Sequence, residues 1–303
     1  MDSCCPLCGT KDHTIIFNHL QQYPNGSIAK CNHCLHIYTI LIQSLKTDKL
    51  YNDRVYKVVE NRNSIFDKIL SWEYNKVLKT IHSFKPSKGK LLDFGSGKGK
   101  FASLAKKKGW EVKCVEITIE RATYAKNIYN LEVSTDFYTT DRIFNVDFEV
   151  LTLFHVLEHL PQPKILLDEL IKHNLTKDGL VLIEVPNFNS LQARMAGRNW
   201  MHLDVPRHIN HFTPIQLEKI AQELNLSTLK TSFFSFHLGV LGMIDCFLKL
   251  FGYRKHIIHE LKNQNHFGLL LIISILLPFA LIIEYFAAAT GNGGIVRKYF
   301  IRQ

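Results

Sequence analysis

Four cysteines near the amino terminus have the type and spacing that suit a metal ion. They form two pairs, each with a two-residue gap: Cys5 and Cys8, and Cys31 and Cys34. Such a gap lets both thiolates of a pair face one side of the metal, and four thiolates saturate a tetrahedral Zn²⁺ without an open position for water. We therefore predict a structural zinc ribbon over residues 1–45. Cys4, His33 and His36 are alternative ligands, and cysteines without metal are the other explanation.

A glycine-rich turn has residues that allow a ligand to approach the backbone. After a short apolar run it contains Asp93, Gly95, Ser96, Gly97 and Gly99. Glycine permits left-handed backbone angles and lets a ligand come close to main-chain N–H groups. The next apolar run ends at Glu116, whose carboxylate could accept hydrogen bonds from both hydroxyls of a ribose.

The same turn favours a nucleoside that lacks a pyrophosphate. Dinucleotide-binding turns have the spacing GxGxxG, whereas the glycines here alternate with Ser96 and Lys98. In addition, Asp93 precedes the turn, and its negative charge disfavours a pyrophosphate. A tight turn that binds no ligand is the alternative.

Titratable side chains follow two predicted strands. His155, Glu158 and His159 come directly after the apolar run 148–153, at the edge where open α/β sheets bind ligands. His208 lies on the polar loop after the following strand. A histidine suits general-base catalysis, so we predict catalytic roles for His155, Glu158 and His208. Helix capping by Glu158 and His159, and hydrogen bonding of the loop by His208, are the alternatives.

The elements that must position these residues alternate between strands and helices. Apolar runs predict strands at Leu91 to Phe94, Val112 to Glu116, Leu131 to Val133, Phe148 to Leu153, Leu180 to Val185 and Thr228 to Phe236. Between these strands, apolar residues at helical spacing predict helices near Lys98 to Lys108, near Ile119 to Tyr129 and near Pro214 to Leu224. A further helix ends near Leu175. This alternation predicts a parallel sheet. A turn at Lys177 to Gly179 and a helical linker over residues 46–88 complete the prediction.

The glycine turn, Glu116 and the segment 154–161 together resemble the class I methyltransferases, which use S-adenosylmethionine. The resemblance covers about residues 90–236. Within that class, segments 184–187 and 206–213 are similar to a bacterial subgroup that includes ubiquinone-type O-methyltransferases and enzymes that methylate sugars. The resemblance implies an α/β, Rossmann-like sheet of seven strands, with the seventh antiparallel between the fifth and the sixth.

The resemblance also implies which residues bind S-adenosylmethionine. By position they are Asp93, Gly95, Ser96, Gly97, Gly99, Glu116 and Asp136. The glycines and Ser96 would surround the methionine and ribose end, Glu116 would hold the ribose, and Asp136 would touch the adenine.

Two apolar runs near the carboxyl terminus, Phe233 to Phe251 and Gly268 to Phe286, approach the roughly 20 residues that span a membrane. A basic stretch separates them, and two spans would place this stretch outside, against the positive-inside rule. Pro278 and Glu284 would also lie within the second span. We therefore predict a hairpin that enters one face of the membrane. A helical pair packed on the domain or in a dimer interface is the alternative.

The carboxyl-terminal tail, Gly293 to Ile301, has the composition of a strand. We predict that it is the missing seventh strand. The methyltransferase domain then comprises residues 89–236 plus 292–303, and residues 237–291 are an apolar helical insertion that covers the substrate side of the sheet.

The composition restricts the compartment and the partners. With 37 Lys and Arg against 27 Asp and Glu, the formal net charge is +10, which suits phosphates, nucleic acid or an anionic membrane. The amino-terminal residues lack the basic and apolar regions of a secretory signal, so we expect a cytoplasmic protein, with the inner face of the membrane as its site of association.

These expectations combine into one predicted function. The chain methylates a hydroxyl of a sugar, glycolipid or quinone-like acceptor, with a small molecule or lipid-linked sugar as partner and peripheral membrane association. The first alternative is an RNA base methyltransferase, favoured by the charge and the ribbon and disfavoured by the apolar insertion, so nucleic acid is not the expected partner. The second is an inactive methyltransferase fold that serves as a scaffold or binding protein.

Overall fold

The computed structural model describes residues 4–20, 23–41, 64–136, 142–253, 255, 257–262 and 267–303. The strands are β1 His13–Phe17, β2 Gly26–Cys31, β3 Ile37–Leu41, β4 Lys90–Phe94, β5 Glu111–Val115, β6 Glu132–Ser134, β7 Phe148–Phe154, β8 Leu175–Pro186, β9 Asn210–His211, β10 Leu226–Ser232 and β11 Ile295–Arg302. The α-helices are α1 Ile65–Phe84, α2 Lys100–Lys107, α3 Ile119–Tyr129, α4 Pro163–Asn174, α5 Leu191–Ala196, α6 Pro214–Glu223, α7 Leu241–Leu250, α8 Ile257–Lys262 and α9 Phe267–Ala289.

The main sheet has seven strands in the order β10-β11-β8-β7-β4-β5-β6. Strands β8, β7, β4, β5 and β6 are parallel. The carboxyl-terminal strand β11 is antiparallel to both of its neighbours, β8 and β10. The predicted α/β, Rossmann-like fold is thus confirmed, including a seventh strand formed by the tail.

The central strands are apolar because helices cover both faces of the sheet. On one face, Leu92 and Leu151 pack in a core with Leu167 of α4. On the other face, Leu91 packs in a core with Phe101 of α2. Continuous apolar runs of this kind are typical of parallel strands that are buried on both sides.

Strand β8 begins earlier than the predicted start at Leu180. It begins at Leu175, and its pairing with β7 shifts register between Phe148, opposite Leu175, and Val150, opposite Leu180. The residues of the turn predicted at 177–179 are part of the strand, but they lie where its pairing with β7 is interrupted. The left-handed φ of Asp178, +57°, accounts for the turn-like sequence.

The amino-terminal strands β1, β2 and β3 form an antiparallel sheet with β9. Strand β9 comes from the polar loop of the main fold, so the ribbon sheet is completed by a distant part of the chain. The predicted ribbon boundary at residue 45 and the first part of the predicted linker lie outside the described residues. Helix α1 forms the rest of that linker and begins at a Ser64 side chain that accepts a hydrogen bond from Asp67 N.

The segment between β10 and β11 contains a π-helical turn, Phe236–Val240, followed by α7, α8 and α9. Its two apolar runs are not equivalent arms of a hairpin. Helix α7 is ten residues long and largely buried, whereas α9 is mostly exposed. By length and composition, α9 is the one helix in the described part of the chain that could cross a membrane. Arg254 and His256 of the basic stretch lie outside the described residues.

Candidate active site

A cleft of about 390 Å³ opens beside the carboxyl ends of β4 and β7. The glycine turn after β4 lines one side. Tyr74 of α1, Phe101 of α2, His208 and Leu238 of the π-helical turn contribute to the other sides. This is the position at which open α/β sheets bind ligands.

The three glycines of the turn have left-handed φ angles, and their surroundings differ. A Cβ on Gly97 would meet no described atom within 4 Å, and Gly97 lines the cleft. A Cβ on Gly99 would lie 2.6 Å from Leu131 Cδ1 and 2.9 Å from Ala125 Cβ. Gly97 therefore provides space for a ligand, whereas Gly99 provides space for helix packing.

Glu116 lies beside the glycine turn, as its sequence position predicts. Its two carboxylate oxygens accept hydrogen bonds from Gly97 N and Thr118 N, each 2.8 Å long. Each oxygen has a further lone pair. The carboxylate is thus fixed by two backbone N–H groups beside the turn, although Glu116 is not among the residues that line the cleft.

Asp93 is 2 % exposed and accepts a 2.8 Å hydrogen bond from Thr152 Oγ1. Burial and the nearby charge of Glu116 raise the pKa of Asp93 to about 7, although the Thr152 hydrogen bond opposes the shift. Asp93 also lines the cleft. A carboxyl with this pKa changes charge near neutral pH at the edge of the cleft.

The remaining predicted cofactor residues differ in position. Ser96 lines the cleft, and its buried hydroxyl has no hydrogen-bond partner among the described residues. Asp136 lies exposed after β6, where its carboxylate accepts a hydrogen bond from Ser134 Oγ. The turn fits the methionine and ribose end of S-adenosylmethionine because it has an open glycine, a fixed carboxylate and a hydroxyl available for a hydrogen bond. The adenine contact of Asp136 stays a prediction.

His155 lies between two buried carboxylates. Its Nδ1 is 3.2 Å from Glu158 Oε1, and its Nε2 is 3.1 Å from Glu184 Oε1. Burial alone would lower the pKa of His155, but Glu158 and Glu184 outweigh it and raise the pKa to about 10. Arg297 of β11 bonds the second oxygen of Glu184. His155 is therefore a cation at neutral pH, with both nitrogens engaged.

A second set of polar side chains lines the cleft next to His155. His159 Nδ1 hydrogen-bonds Arg207 O at 3.0 Å, and His208 Nδ1 hydrogen-bonds His202 O at 2.8 Å. The two imidazole rings meet edge to face, with centroids 4.7 Å apart. Arg207 donates from Nε to Asp204 at 3.0 Å. The polar loop thus presents histidine rings that are fixed by the backbone.

The four predicted cysteine ligands come together in the ribbon. All four sulfur atoms lie within 4.8 Å of one another, and Cys5–Cys34 and Cys8–Cys31 are each separated by 3.5 Å. A tetrahedral site with Zn–S bonds of about 2.3 Å requires sulfur atoms about 3.8 Å apart. Cys4 is exposed and outside this cluster, and the alternative ligand His36 bonds Asn210 Oδ1 instead.

The sequence did not reveal the partners of the predicted histidines. Glu184 occurs within the apolar strand β8, and a carboxylate in such a strand is the signal that could have marked it. Arg297 gives no comparable signal, because it approaches Glu184 only through the pairing of β11 with β8. Nor did the sequence show that His159 and His208 would be in contact.

A family model described as "Methyltransferase domain" matches residues 66–231, which is more than half of the chain. The chain belongs to the methyltransferase domain family. This methyltransferase is an enzyme of class I, and S-adenosylmethionine is its methyl donor. No curated protein matches the chain.

Several solved structures are similar to this methyltransferase. A SAM-dependent methyltransferase from Archaeoglobus fulgidus is 19% identical, with a TM-score of 0.48, and the match covers 76% of this chain and 93% of that chain. The plantazolicin methyltransferase BpumL in complex with SAH is 15% identical, with a TM-score of 0.48, and coverage of 84% and 90%. Coclaurine N-methyltransferase is 17% identical, with a TM-score of 0.46, and coverage of 76% and 72%.

Proposed function

We propose that this methyltransferase methylates a hydroxyl of a small acceptor, a sugar, glycolipid or quinone-like molecule. The observation that carries the proposal is that His159 and His208 line the cleft beside the glycine turn. Because Nδ1 of His208 is engaged by a backbone carbonyl, Nε2 is the lone-pair atom of the neutral ring. A hydroxyl keeps its proton at neutral pH and is a weak nucleophile, so it needs a base that removes the proton. A neutral amine is nucleophilic without a base.

The donor, S-adenosylmethionine, supplies a methyl group on a positively charged sulfur. The chain then has to align the acceptor oxygen and activate it. We assign activation to Nε2 of His208. Asp204 Oδ2 lies 3.7 Å from that nitrogen.

His155 has a different role in this proposal from the predicted general base. A histidine whose two nitrogens face carboxylates, and whose pKa is about 10, has no lone pair for a proton at neutral pH. We propose that His155 is a positioning residue. It holds Glu158 at the end of β7 and connects it to Glu184 and Arg297.

We propose that the four cysteines bind a structural Zn²⁺. Their sulfur separations support this, and a saturated tetrahedral site leaves no position for a substrate. The ribbon contacts the main domain at two places. Thr39 of the ribbon donates to His208 O at 2.8 Å, and Gln216 of α6 donates to Leu35 O of the ribbon at 2.6 Å. Zinc would therefore stabilise the loop that positions His208.

We propose that α9 binds peripherally to the membrane. Glu284 is fully buried and accepts hydrogen bonds from Gln192 Nε2 at 3.0 Å and Gly294 N at 2.7 Å, so one side of the helix is attached to the domain. The other side exposes an apolar stripe that includes Leu271, Ile275, Phe279, Ile282 and Phe286. An exposed apolar stripe on a basic protein suits the surface of an anionic membrane.

Binding of S-adenosylmethionine tests the first step of the proposal. Calorimetry on the purified protein should show binding, and Gly97→Arg should abolish it by filling the cleft. Gly252→Arg is the matched control, because Gly252 also has a left-handed φ and no described atom within 4 Å of a Cβ, but lies exposed after α7. Absence of binding by a folded wild-type protein would favour the inactive scaffold.

An acceptor screen tests the second step. Methyl transfer from radiolabelled donor should be detected with sugars, lipid-linked sugars or quinone-like phenols, and His208→Ala should remove it while donor binding is retained. Transfer to RNA instead, together with RNA binding that falls steeply with salt, would support the RNA methyltransferase.

Flotation with anionic vesicles tests the membrane proposal. The double variant Ile275→Glu and Phe279→Glu should lose vesicle binding, because both side chains are more than half exposed on α9. The control double variant Ile165→Glu and Ile215→Glu changes exposed residues of α4 and α6 by the same charge. Equal binding by all three proteins, or none by the wild type at low salt, would refute the proposal.

A further inference from the structure

Three side chains at the edge of the cleft place potential ligand atoms close together, and two of them line it. A carboxylate oxygen of Glu158 and one ring nitrogen each of His159 and His208 lie within 4.8 Å of one another. Glu158 and His208 are buried, and His159 and His208 line the cleft. Two chain segments converge here, the short helical turn after β7 and the loop before β9.

Both histidines have the tautomer of metal ligands. Nδ1 of His159 donates to Arg207 O, and Nδ1 of His208 donates to His202 O. Protein histidines that ligate a metal characteristically donate their other N–H to a carbonyl or carboxylate, which fixes the ring and leaves the second nitrogen as donor of a lone pair. In His208 that second nitrogen is Nε2.

Glu158 provides independent evidence for a missing ligand. Its side chain is 1 % exposed, and Oε2 has no hydrogen-bond partner among the described residues, while Oε1 faces His155. A buried carboxylate oxygen without a partner is costly and rare in folded proteins. His155 compensates the charge of Glu158 from one side only, so a cation on the Oε2 side would satisfy the second oxygen.

We propose that Glu158, His159 and His208 bind a divalent first-row transition cation at the acceptor side of the cleft. Two imidazole nitrogens and one carboxylate oxygen suit Zn²⁺, Fe²⁺ or Co²⁺. Three protein ligands leave coordination positions open toward the cleft, unlike the four thiolates of the ribbon. The ion thus differs from the ribbon zinc in ligands and in role.

The cation would activate the acceptor hydroxyl at this site. This role rests on the proposed function. A divalent ion lowers the pKa of a coordinated hydroxyl, whose proton passes to water, so no side chain has to act as the base. With the ion bound, direct proton transfer to His208 Nε2 is replaced, and His208 contributes to activation as a ligand of the ion.

Cobalt(II) titration of the zinc-loaded full-length protein tests the proposal. The wild type should bind one Co²⁺ with weak visible absorption and without thiolate charge-transfer absorption, which marks exchange into the ribbon. His208→Ala and Glu158→Gln should lower the Co²⁺ affinity by about 100-fold or more, because each loses a direct ligand. His173→Ala, an exposed histidine on α4, should bind like the wild type.

Donor binding serves as the folding control. Calorimetry with S-adenosylmethionine should be unchanged in His208→Ala, which separates loss of the metal site from loss of the fold or of donor binding. Absence of Co²⁺ binding by the wild type, thiolate absorption alone, or equal Co²⁺ binding in wild type and His208→Ala would overturn the proposal.

Discussion

The hydroxyl of Thr39 donates a 2.8 Å hydrogen bond to the main-chain oxygen of His208 and lies 2.9 Å from His211 Nε2. Thr39 belongs to the ribbon strand β3, and His208 to the loop that borders the cleft. Because β3 also pairs with β9, the ribbon holds the carboxyl-terminal end of this loop. The amino-terminal ribbon is therefore part of the structure that positions the acceptor side.

Thr39→Val tests this coupling. The variant loses two buried hydrogen bonds, so we expect the free energy of unfolding to fall by about 1–3 kcal/mol. A displaced His208 should lower acceptor turnover roughly tenfold, whereas the affinity for S-adenosylmethionine should be unchanged. Thr14→Val, which removes an exposed hydrogen bond within the ribbon, is the control. Wild-type turnover in Thr39→Val would show that the ribbon does not position the loop.

Local sequence signals predicted the parts of the fold that depend on neighbouring residues. The strand before Gly95, the glycine turn and helix α3 lie where their apolar periodicity and turn residues place them. The cysteine pairs are also local. In contrast, β9 is two residues long, too short for any periodicity, and forms only because β3 pairs with it.

The electrostatics of the site could not be predicted because they depend on long-range pairing. Glu184 and Arg297 are separated by 113 residues and approach each other through the antiparallel register of β8 and β11. A sequence shows that His155 follows a strand. It does not show that both of its nitrogens face carboxylates, which decides whether the ring can accept a proton.

The glycine turn allows a prediction that separates ligand binding from folding. Gly97→Ala should weaken binding of S-adenosylmethionine with a cost in stability of about 1 kcal/mol, from the left-handed φ alone. Gly99→Ala adds a clash with Leu131 and Ala125 and should cost about 2–4 kcal/mol. Calorimetry and urea unfolding measure the two effects. The reverse order of stabilities would contradict the packing role of Gly99.

His155 should make the stability of the protein depend on pH above neutrality. Its folded pKa of about 10 lies above the ordinary value of 6.5, so its contribution is complete below pH 6.5 and is lost as the pH rises through 10. The difference in free energy of unfolding between the wild type and His155→Gln should fall by up to about 1.4 kcal/mol per pH unit in that range. Urea unfolding at pH 7, 8.5 and 10 measures it, with His173→Gln as control. A difference that does not change with pH would show that His155 is neutral.

The raised pKa of Asp93 should also make stability fall as the pH rises, but in a lower pH range than for His155. Burial raises its pKa to about 7 from an ordinary value of 3.8, so the folded state disfavours the ionised form and stability is lost as the pH rises from about 4 to about 7. Asp93→Asn cannot ionise and keeps an oxygen for the hydrogen bond from Thr152. We therefore expect the free energy of unfolding of the variant to rise relative to that of the wild type across that range, by about 2–4 kcal/mol above pH 7.

Urea unfolding of Asp93→Asn and the wild type between pH 4 and pH 8 measures this gain, without donor present. Asp147→Asn is the control, because its side chain is half exposed and should follow the wild type. Parallel curves for Asp93→Asn and the wild type would mean that Asp93 is ionised throughout. In that case, its charge would be available to the donor at every pH, and the neutral form would have no part in binding.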